Sequence, residues 1–152
     1  MTLRTRISDA LKQAMKDKAA DRLSTLRLIN AAIKDKDIAA RAGGNDDGVA
    51  EDEVLAILGK MAKQRLESAR AYEEGGRLDL AENERAEISV IEEFLPRQLS
   101  EEEANAAIEK AIADIGAESI RDMGKVIGAL KSQYTGQMDF GKAGPLVKDR
   151  LA

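Results

Sequence analysis

The side chains that most often carry enzymatic chemistry are missing from this sequence. It contains no Cys and no His, so thiolate nucleophiles, imidazole bases and metal sites built on Cys or His are excluded. Catalysis by carboxylates needs two of them in one water-poor cleft with separated pKa values, and no spacing here singles out such a pair. We therefore predict a protein with no cofactor and no catalytic residues of its own.

Basic residues are concentrated near the C-terminus, although the whole chain has a formal net charge of −4. Residues 121–152 contain three acidic residues and six basic ones: Arg121, Lys125, Lys131, Lys142, Lys148 and Arg150. If these side chains converge on one face, they can contact a phosphate backbone. Ordinary solubility is the alternative, since dedicated nucleic-acid binders tend to be basic overall. The first five residues of this set are the candidate RNA-binding residues.

Two glycines stand among these basic residues. Gly124 and Gly128 lie four residues apart on one predicted helix, where glycine normally lowers stability unless something approaches the backbone closely. Close packing of a neighbouring helix is the simpler interpretation, and a flat contact with a nucleic-acid backbone is the alternative. With only two Tyr, two Phe and no Trp, the chain lacks stacking platforms for single-stranded bases, so structured RNA is the better match.

Arg65 lies on the otherwise apolar stripe of a predicted helix, where an unpaired charge would be costly. It should therefore meet a carboxylate. Glu84, between Leu80 and Ile88 on the apolar side of the next helix, is the first candidate, and Glu87 is the alternative. We interpret this pair as structural rather than as a ligand site.

Helical periodicity dominates the first 95 residues. It predicts a first helix from Leu3, a second that opens after Asp21 as N-cap and runs toward Ala42, a third over Asp52–Glu74 and a fourth over Asp79–Leu95. The Gly- and Asp-rich segment 43–48 is predicted to be a mobile loop. Four helices of this length make a small bundle.

Capping signals predict three further helices. Ser100 and Glu103 form a capping box, Ser119 and Asp122 repeat that arrangement, and a last short helix starts at Asp139, with Pro145 comfortable only in its first turn. We predict an all-α fold with a four-helix bundle in residues 1–96 and a three-helix domain in residues 97–152. No secretory signal or membrane span is apparent, so a cytoplasmic location is expected.

Four motifs resemble the GatB/YqeY family, and the similarity covers nearly the whole chain. They are Lys63-Gln64-Arg65-Leu66-Glu67-Ser68, Gly76-Arg77-Leu78-Asp79-Leu80, Phe94-Leu95-Pro96-Arg97-Gln98-Leu99-Ser100 and Asp122-Met123-Gly124-Lys125-Val126. The free-standing YqeY-like members of the family look like the C-terminal tail of the B subunit of the tRNA-dependent amidotransferase. The resemblance implies a helical bundle followed by a smaller three-helix domain.

The same resemblance implies a function in RNA binding without chemistry. In the amidotransferase the tail contacts tRNA, whereas phosphorylation and amide transfer belong to other domains and to the glutaminase subunit. The family's label of amidotransferase activity, a carbon–nitrogen ligase with glutamine as nitrogen donor, therefore comes from the larger enzyme. Lys125 is the residue carried across from the tail's tRNA contact, with Lys131 and Lys148 as weaker additions. We expect a tRNA- or RNA-associated protein, with a possible protein partner in tRNA-dependent amidation. A protein–protein adaptor with no nucleic-acid role is the alternative.

Overall fold

The structure is a computed structural model that describes residues 2–152. These residues form seven α-helices and one short 3₁₀ turn, and none of them lies in a β-strand. The all-α prediction is therefore confirmed. The helices are α1 (Leu3–Lys16), α2 (Ala20–Ala42), α3 (Glu51–Glu74), α4 (Leu78–Glu92), α5 (Glu101–Ile115), α6 (Met123–Tyr134) and α7 (Phe140–Leu151), and the 3₁₀ turn is Ile120–Asp122.

The chain divides into two units, Met1–Leu95 and Pro96–Ala152. In the first unit, α1–α4 pack around one apolar core, in which Leu26 and Ile29 of α2 meet Val54 and Leu58 of α3, all of them buried. Full burial of such a side chain contributes about 1.5–3 kcal/mol. The helical spacing of aliphatic residues is what places these side chains on one face of each helix.

The predicted N-cap of the second helix was wrong. The helix begins at Ala20 with Ala19 in the cap position, and Asp21 lies inside the first turn. An acidic side chain there still favours the helix, because it faces the positive end of the helix dipole, but it does not cap a backbone amide. The other predicted ends agree to within a few residues. The largest difference is at the end of α4, which stops at Glu92 instead of the predicted Leu95.

The end of the loop after α2 is held by hydrogen bonds, and the mobility of residues 43–48 stays a prediction. Buried Asp37 of α2 accepts from the Val49 N–H at 2.9 Å and from both terminal nitrogens of Arg4 at 2.6 and 2.8 Å. Arg4 also donates to the Val49 carbonyl at 2.9 Å. The Arg4 guanidinium and, second, the Val49 N–H hold the pKa of the Asp37 carboxyl well below its usual range. This Asp37 clamp ties the end of the loop to α1 and α2.

Gly48 is required by that clamp. Its φ is +80°, a region that L-amino acids rarely adopt, and a Cβ at this position would lie 2.5 Å from the Asp37 carboxylate oxygen. Asn45 closes the turn by donating from its side-chain amide to the Gly48 carbonyl at 2.8 Å.

In the second unit, α5–α7 enclose a separate core that includes Ile108, Val126, Leu130 and Val147, all of them buried. The capping box at the start of α5 is present: the Ser100 hydroxyl accepts from the Glu103 N–H, and the Glu103 carboxylate accepts from the Ser100 N–H, both at 3.1 Å. These two bonds satisfy amides that the first turn of a helix leaves without partners.

Pro145 lies inside α7 rather than in its first turn, which corrects the prediction for the last helix. The helix starts at Phe140, with the Asp139 carboxylate accepting from the Gly141 N–H at 2.9 Å, and it continues past the proline to Leu151. Because Pro145 is exposed, water can reach the carbonyl that the proline ring leaves without a helical donor. Buried Ala143, Val147 and Leu151 hold the helix on the core.

Candidate nucleic-acid interface

The outward face of α6 follows from the residues that it buries. Val126 and Leu130 are fully or almost fully buried and stand one helical turn apart. At about 100° per residue, the opposite face carries Gly124, Lys125 and Gly128, and all three are exposed. This side of α6 therefore faces away from the core of the second unit and toward solvent.

The two glycines on this face have open space in front of them. A Cβ built on either Gly124 or Gly128 meets no heavy atom within 4 Å outside the helix's own backbone. The packing interpretation was therefore wrong for the second unit, because neither α5 nor α7 approaches α6 here. By contrast, a Cβ on Gly144 of α7 would lie 3.8 Å from the terminal carbon of Met123.

Lysines border the glycines on both sides. Lys125 and Lys131 are six residues apart, so they lie about 120° apart around the helix, with both glycines between them. Arg121 is exposed in the 3₁₀ turn that leads into α6. We name these five residues, Arg121, Gly124, Lys125, Gly128 and Lys131, the α6 face.

The acidic residue nearest to the α6 face in sequence is Asp122, and its carboxylate points at backbone amides. It accepts from the Glu118 N–H at 3.0 Å and from the Ser119 N–H at 3.4 Å. These bonds, with the neighbouring charge of Lys125, lower the pKa of Asp122. The Asp122 carboxylate is therefore ionised near neutral pH. Its negative charge offsets part of the positive charge at the start of the α6 face.

The two remaining candidates lie on α7. Lys142 and Lys148 are both exposed, but their six-residue spacing again separates them by about 120°. The structure therefore places Arg121, Lys125 and Lys131 along one side of α6 and the turn before it, whereas Lys142 and Lys148 lie on different sides of α7.

Arg150, the sixth basic residue of this region, is engaged within the protein. Its guanidinium pairs with Glu109 of α5 at 2.5 Å and reaches the Asn105 side chain at 3.4 Å. Arg97 is similarly engaged with Glu103, through two bonds of 2.7 and 2.8 Å. These pairs remove two positive charges from the set available to a ligand.

Arg65 of α3 pairs with Glu87 of α4 rather than with the first candidate, Glu84. The Arg65 Nε lies 2.8 Å from Glu87 Oε2, and the same guanidinium donates to the Met61 carbonyl at 3.2 Å. Helices α3 and α4 are joined by residues 75–77, so they form a helical hairpin. Arg65 and Glu87 are equally far from that turn and so lie level with each other, whereas Glu84 is nearly one turn closer to it.

Two other kinds of site find no support in the described part of the chain. Within residues 2–152, no three acidic side chains come together in a group that could hold a metal ion. Over the same residues, no helix combines the length and apolar character needed to cross a membrane.

Sequence reasoning missed a second exposed surface, on α2. Leu28 and Ile38 are 43% and 63% exposed, and they lie on the face opposite to buried Leu26, Ile29 and Ile33. A seven-residue repeat along this outward face was the signal available in the sequence, but the repeat that faces the core obscured it.

Comparison with known proteins gives a family match over almost the entire chain. Residues 4–151 match a family described as Yqey-like protein. Two relatives carry the name altered inheritance of mitochondria protein 41, mitochondrial. The protein from Clavispora lusitaniae is 32% identical over 147 residues, which cover 93% of this chain and 80% of that protein.

The protein of the same name from Meyerozyma guilliermondii is 41% identical over 87 residues, 56% of this chain. The matched segment spans 42% of that protein's own length. An uncharacterized protein of Schizosaccharomyces pombe is 31% identical over 99 residues, which cover 64% of this chain and 72% of that protein.

Proposed function

Because the chain belongs to the YqeY-like family, we propose that it is a non-catalytic protein that binds structured RNA, with tRNA as the leading candidate. The proposal treats residues 1–96 as a four-helix bundle and residues 97–152 as a three-helix domain, and it assigns RNA binding to the latter. The observation that carries it is the α6 face, where exposed basic residues surround two glycines with open space in front of them.

The chemistry of the α6 face suits a sugar–phosphate backbone. Lysine is a flexible point charge that reaches phosphate oxygens, and Arg121 adds a planar guanidinium that can bind them through two parallel hydrogen bonds. Where Gly124 and Gly128 leave the helix without side chains, a backbone can come closer than it could to any other residue type. The scarcity of aromatic side chains favours recognition of shape and phosphate over base stacking.

We place this binding in tRNA-dependent amidation, as an accessory function beside the enzyme that performs the chemistry. The resemblance to the amidotransferase tail supports this placement, and so does the lack of Cys and His in the sequence. The expected cytoplasmic location remains a prediction, and the names of two relatives associate those proteins with mitochondria.

Binding to purified total tRNA at low salt and at about 0.15 M salt tests the proposal. Three phosphate contacts should give a slope of roughly −2 to −3 in log K against log salt, because each contact releases condensed counterions. Lys125→Glu combined with Lys131→Glu should abolish saturable binding.

The matched control is Lys60→Glu with Arg70→Glu, which makes the same change of net charge on the exposed face of α3. It should retain most of the affinity for tRNA. Equal losses in both double variants would show that only net charge matters, and absence of binding at low salt would refute the proposal.

A further inference from the structure

Helix α2 has an outward face whose composition differs from that of a solvated helix surface. Six exposed positions follow one another in alternating steps of four and three residues, opposite to the buried face of the helix. They are Ser24, Leu28, Ala31, Asp35, Ile38 and Ala42. We name this set the α2 seam. It extends over about 27 Å at 1.5 Å per residue.

A helix face directed at water is normally dominated by charged and polar residues. The α2 seam instead holds two large aliphatic side chains, with Leu28 43% exposed and Ile38 63% exposed. Ala31 and Ala42 are small enough to let another helix approach closely. Asp35 is the single charged member of the set.

A row of basic residues borders the α2 seam along one edge. Arg27, Lys34 and Arg41 stand seven residues apart, so they lie on one line along the helix, and all three are exposed. The other edge carries the uncharged residues Ala32 and Ala39. Neither Arg27 nor Lys34 makes an ion pair within residues 2–152.

We propose that the α2 seam is a docking surface for an amphipathic helix of a partner protein that presents a row of acidic residues to Arg27, Lys34 and Arg41. The apolar positions would bury against the partner's own apolar stripe, as in a short coiled coil. Acidic residues on the partner would then neutralise Arg27 and Lys34, which make no ion pair within the described residues, and Arg41, whose charge already interacts with Asp37. This proposal concerns the first unit and is independent of RNA binding at the α6 face.

Charge argues against a second copy of this chain as the occupant. If two α2 seams met in antiparallel orientation, the basic rows would face each other. In parallel orientation the basic rows would face alanines, and the two Asp35 carboxylates would be opposed in the centre. Both arrangements leave like charges close together or positive charges unpaired.

Asp35 defines the partner further. A polar residue in the seam of a coiled coil sets register, because it must meet a complementary group. A lysine, arginine or asparagine on the partner, opposite Asp35, would satisfy it. The occupant is therefore an acidic helix with one basic or amide residue in its apolar stripe.

A designed peptide of about 21 residues, or three heptads, provides the probe. It has Leu at the seam positions, one Lys to face Asp35, and Glu along both edges. A second peptide exchanges these charges, with Lys along the edges and Glu in the centre. Fluorescence anisotropy of each labelled peptide is measured against the full-length protein. Saturable binding of the acidic peptide, with the basic peptide at least about tenfold weaker, is the expected result.

Variants of the protein locate the binding. Arg27→Glu combined with Lys34→Glu should lose the acidic peptide and gain the basic one, whereas Lys60→Glu with Arg70→Glu should bind as the unmodified protein does. Ile38→Gln should weaken binding about tenfold through the loss of apolar burial. Leu78→Gln, which alters another exposed aliphatic residue (67% exposed), should have no effect.

Several results would overturn the proposal. Equal binding of both peptides, binding of neither, or unchanged affinity of Ile38→Gln would show that the α2 seam does not select an acidic helix. Self-association of the protein that Ile38→Gln abolishes would assign the seam to a second copy. Partition onto vesicles of phosphatidylserine and phosphatidylcholine that the same variant abolishes would assign it to lipid.

Discussion

Replacing Gly124 and Gly128 with alanine should stabilise the protein while weakening its binding to RNA. Neither glycine has a positive φ, and a Cβ on either would meet no heavy atom within 4 Å beyond the helix's own backbone. Glycine is less favourable than alanine in a helix interior by about 1 kcal/mol; Gly128 is interior and Gly124 lies in the first turn, so the double substitution should add about 1–2 kcal/mol to the free energy of unfolding. For a domain of this size, that gain corresponds to a rise of roughly 4–16 °C in Tm.

Urea unfolding followed by circular dichroism, with hydrogen exchange of the α6 amides as a local readout, measures the gain in the second unit. Binding of the same variant to total tRNA measures the functional cost, which the proposed close approach of a phosphate backbone predicts. Loss of stability would show that something packs on this face after all. A gain in stability with unchanged tRNA affinity would refute the idea that the glycines serve RNA contact.

Gly48→Ala supplies the contrast within the same chain. Its Cβ would lie 2.5 Å from the Asp37 carboxylate, at a φ of +80°. This variant should therefore lower the free energy of unfolding of the first unit by about 1–3 kcal/mol. Unchanged stability would refute the description of the Asp37 clamp.

Two further predictions concern ion pairs. A double-mutant cycle of Arg65→Ala with Glu87→Ala, measured by urea unfolding, should give a coupling energy of about 1 kcal/mol. The cycle of Arg65→Ala with Glu84→Ala should give no coupling. A larger coupling energy with Glu84 than with Glu87 would contradict the observed pairing. The Arg97 side chain, followed by a backbone amide, lowers the pKa of Glu103 from 4.5 to about 2. The ionised Glu103 carboxylate therefore stabilises the folded protein. Its contribution is complete above the ordinary pKa of a glutamate and is lost as the pH falls toward 2. Glu103→Gln should flatten the pH dependence of stability in that window, and an unchanged slope would contradict it.

The features that the sequence predicted well are those that local rules determine. The capping box of Ser100 and Glu103 depends only on residues three positions apart, and it is present in the structure. Aliphatic spacing likewise placed Leu26, Ile29 and Val54 on buried faces. Asp21 shows where such rules are weak, because an acidic residue near a helix start is favourable at the N-cap and in the first turn alike.

Features that depend on tertiary register could not be predicted in this way. The choice between Glu84 and Glu87 depends on how α3 and α4 align after their turn, and both acids face the same side of the helix in sequence. The Asp37 clamp joins residues 33 and 12 positions apart, and no local pattern singles out that aspartate from its neighbours. Whether a glycine packs against a helix or faces solvent depends equally on where the other helices lie.

The α6 face and the α2 seam share a physical property that relates them to function. In each, the outward side of a helix departs from what folding alone favours, with two glycines within α6 and aliphatic side chains exposed on α2. Within its own unit, neither surface is covered by another helix. A sequence that breaks local rules without an internal gain is expected to gain from an external partner. Because the two surfaces lie in different units and carry different chemistry, the partners should be different molecules, and variants of one surface should leave binding at the other unchanged.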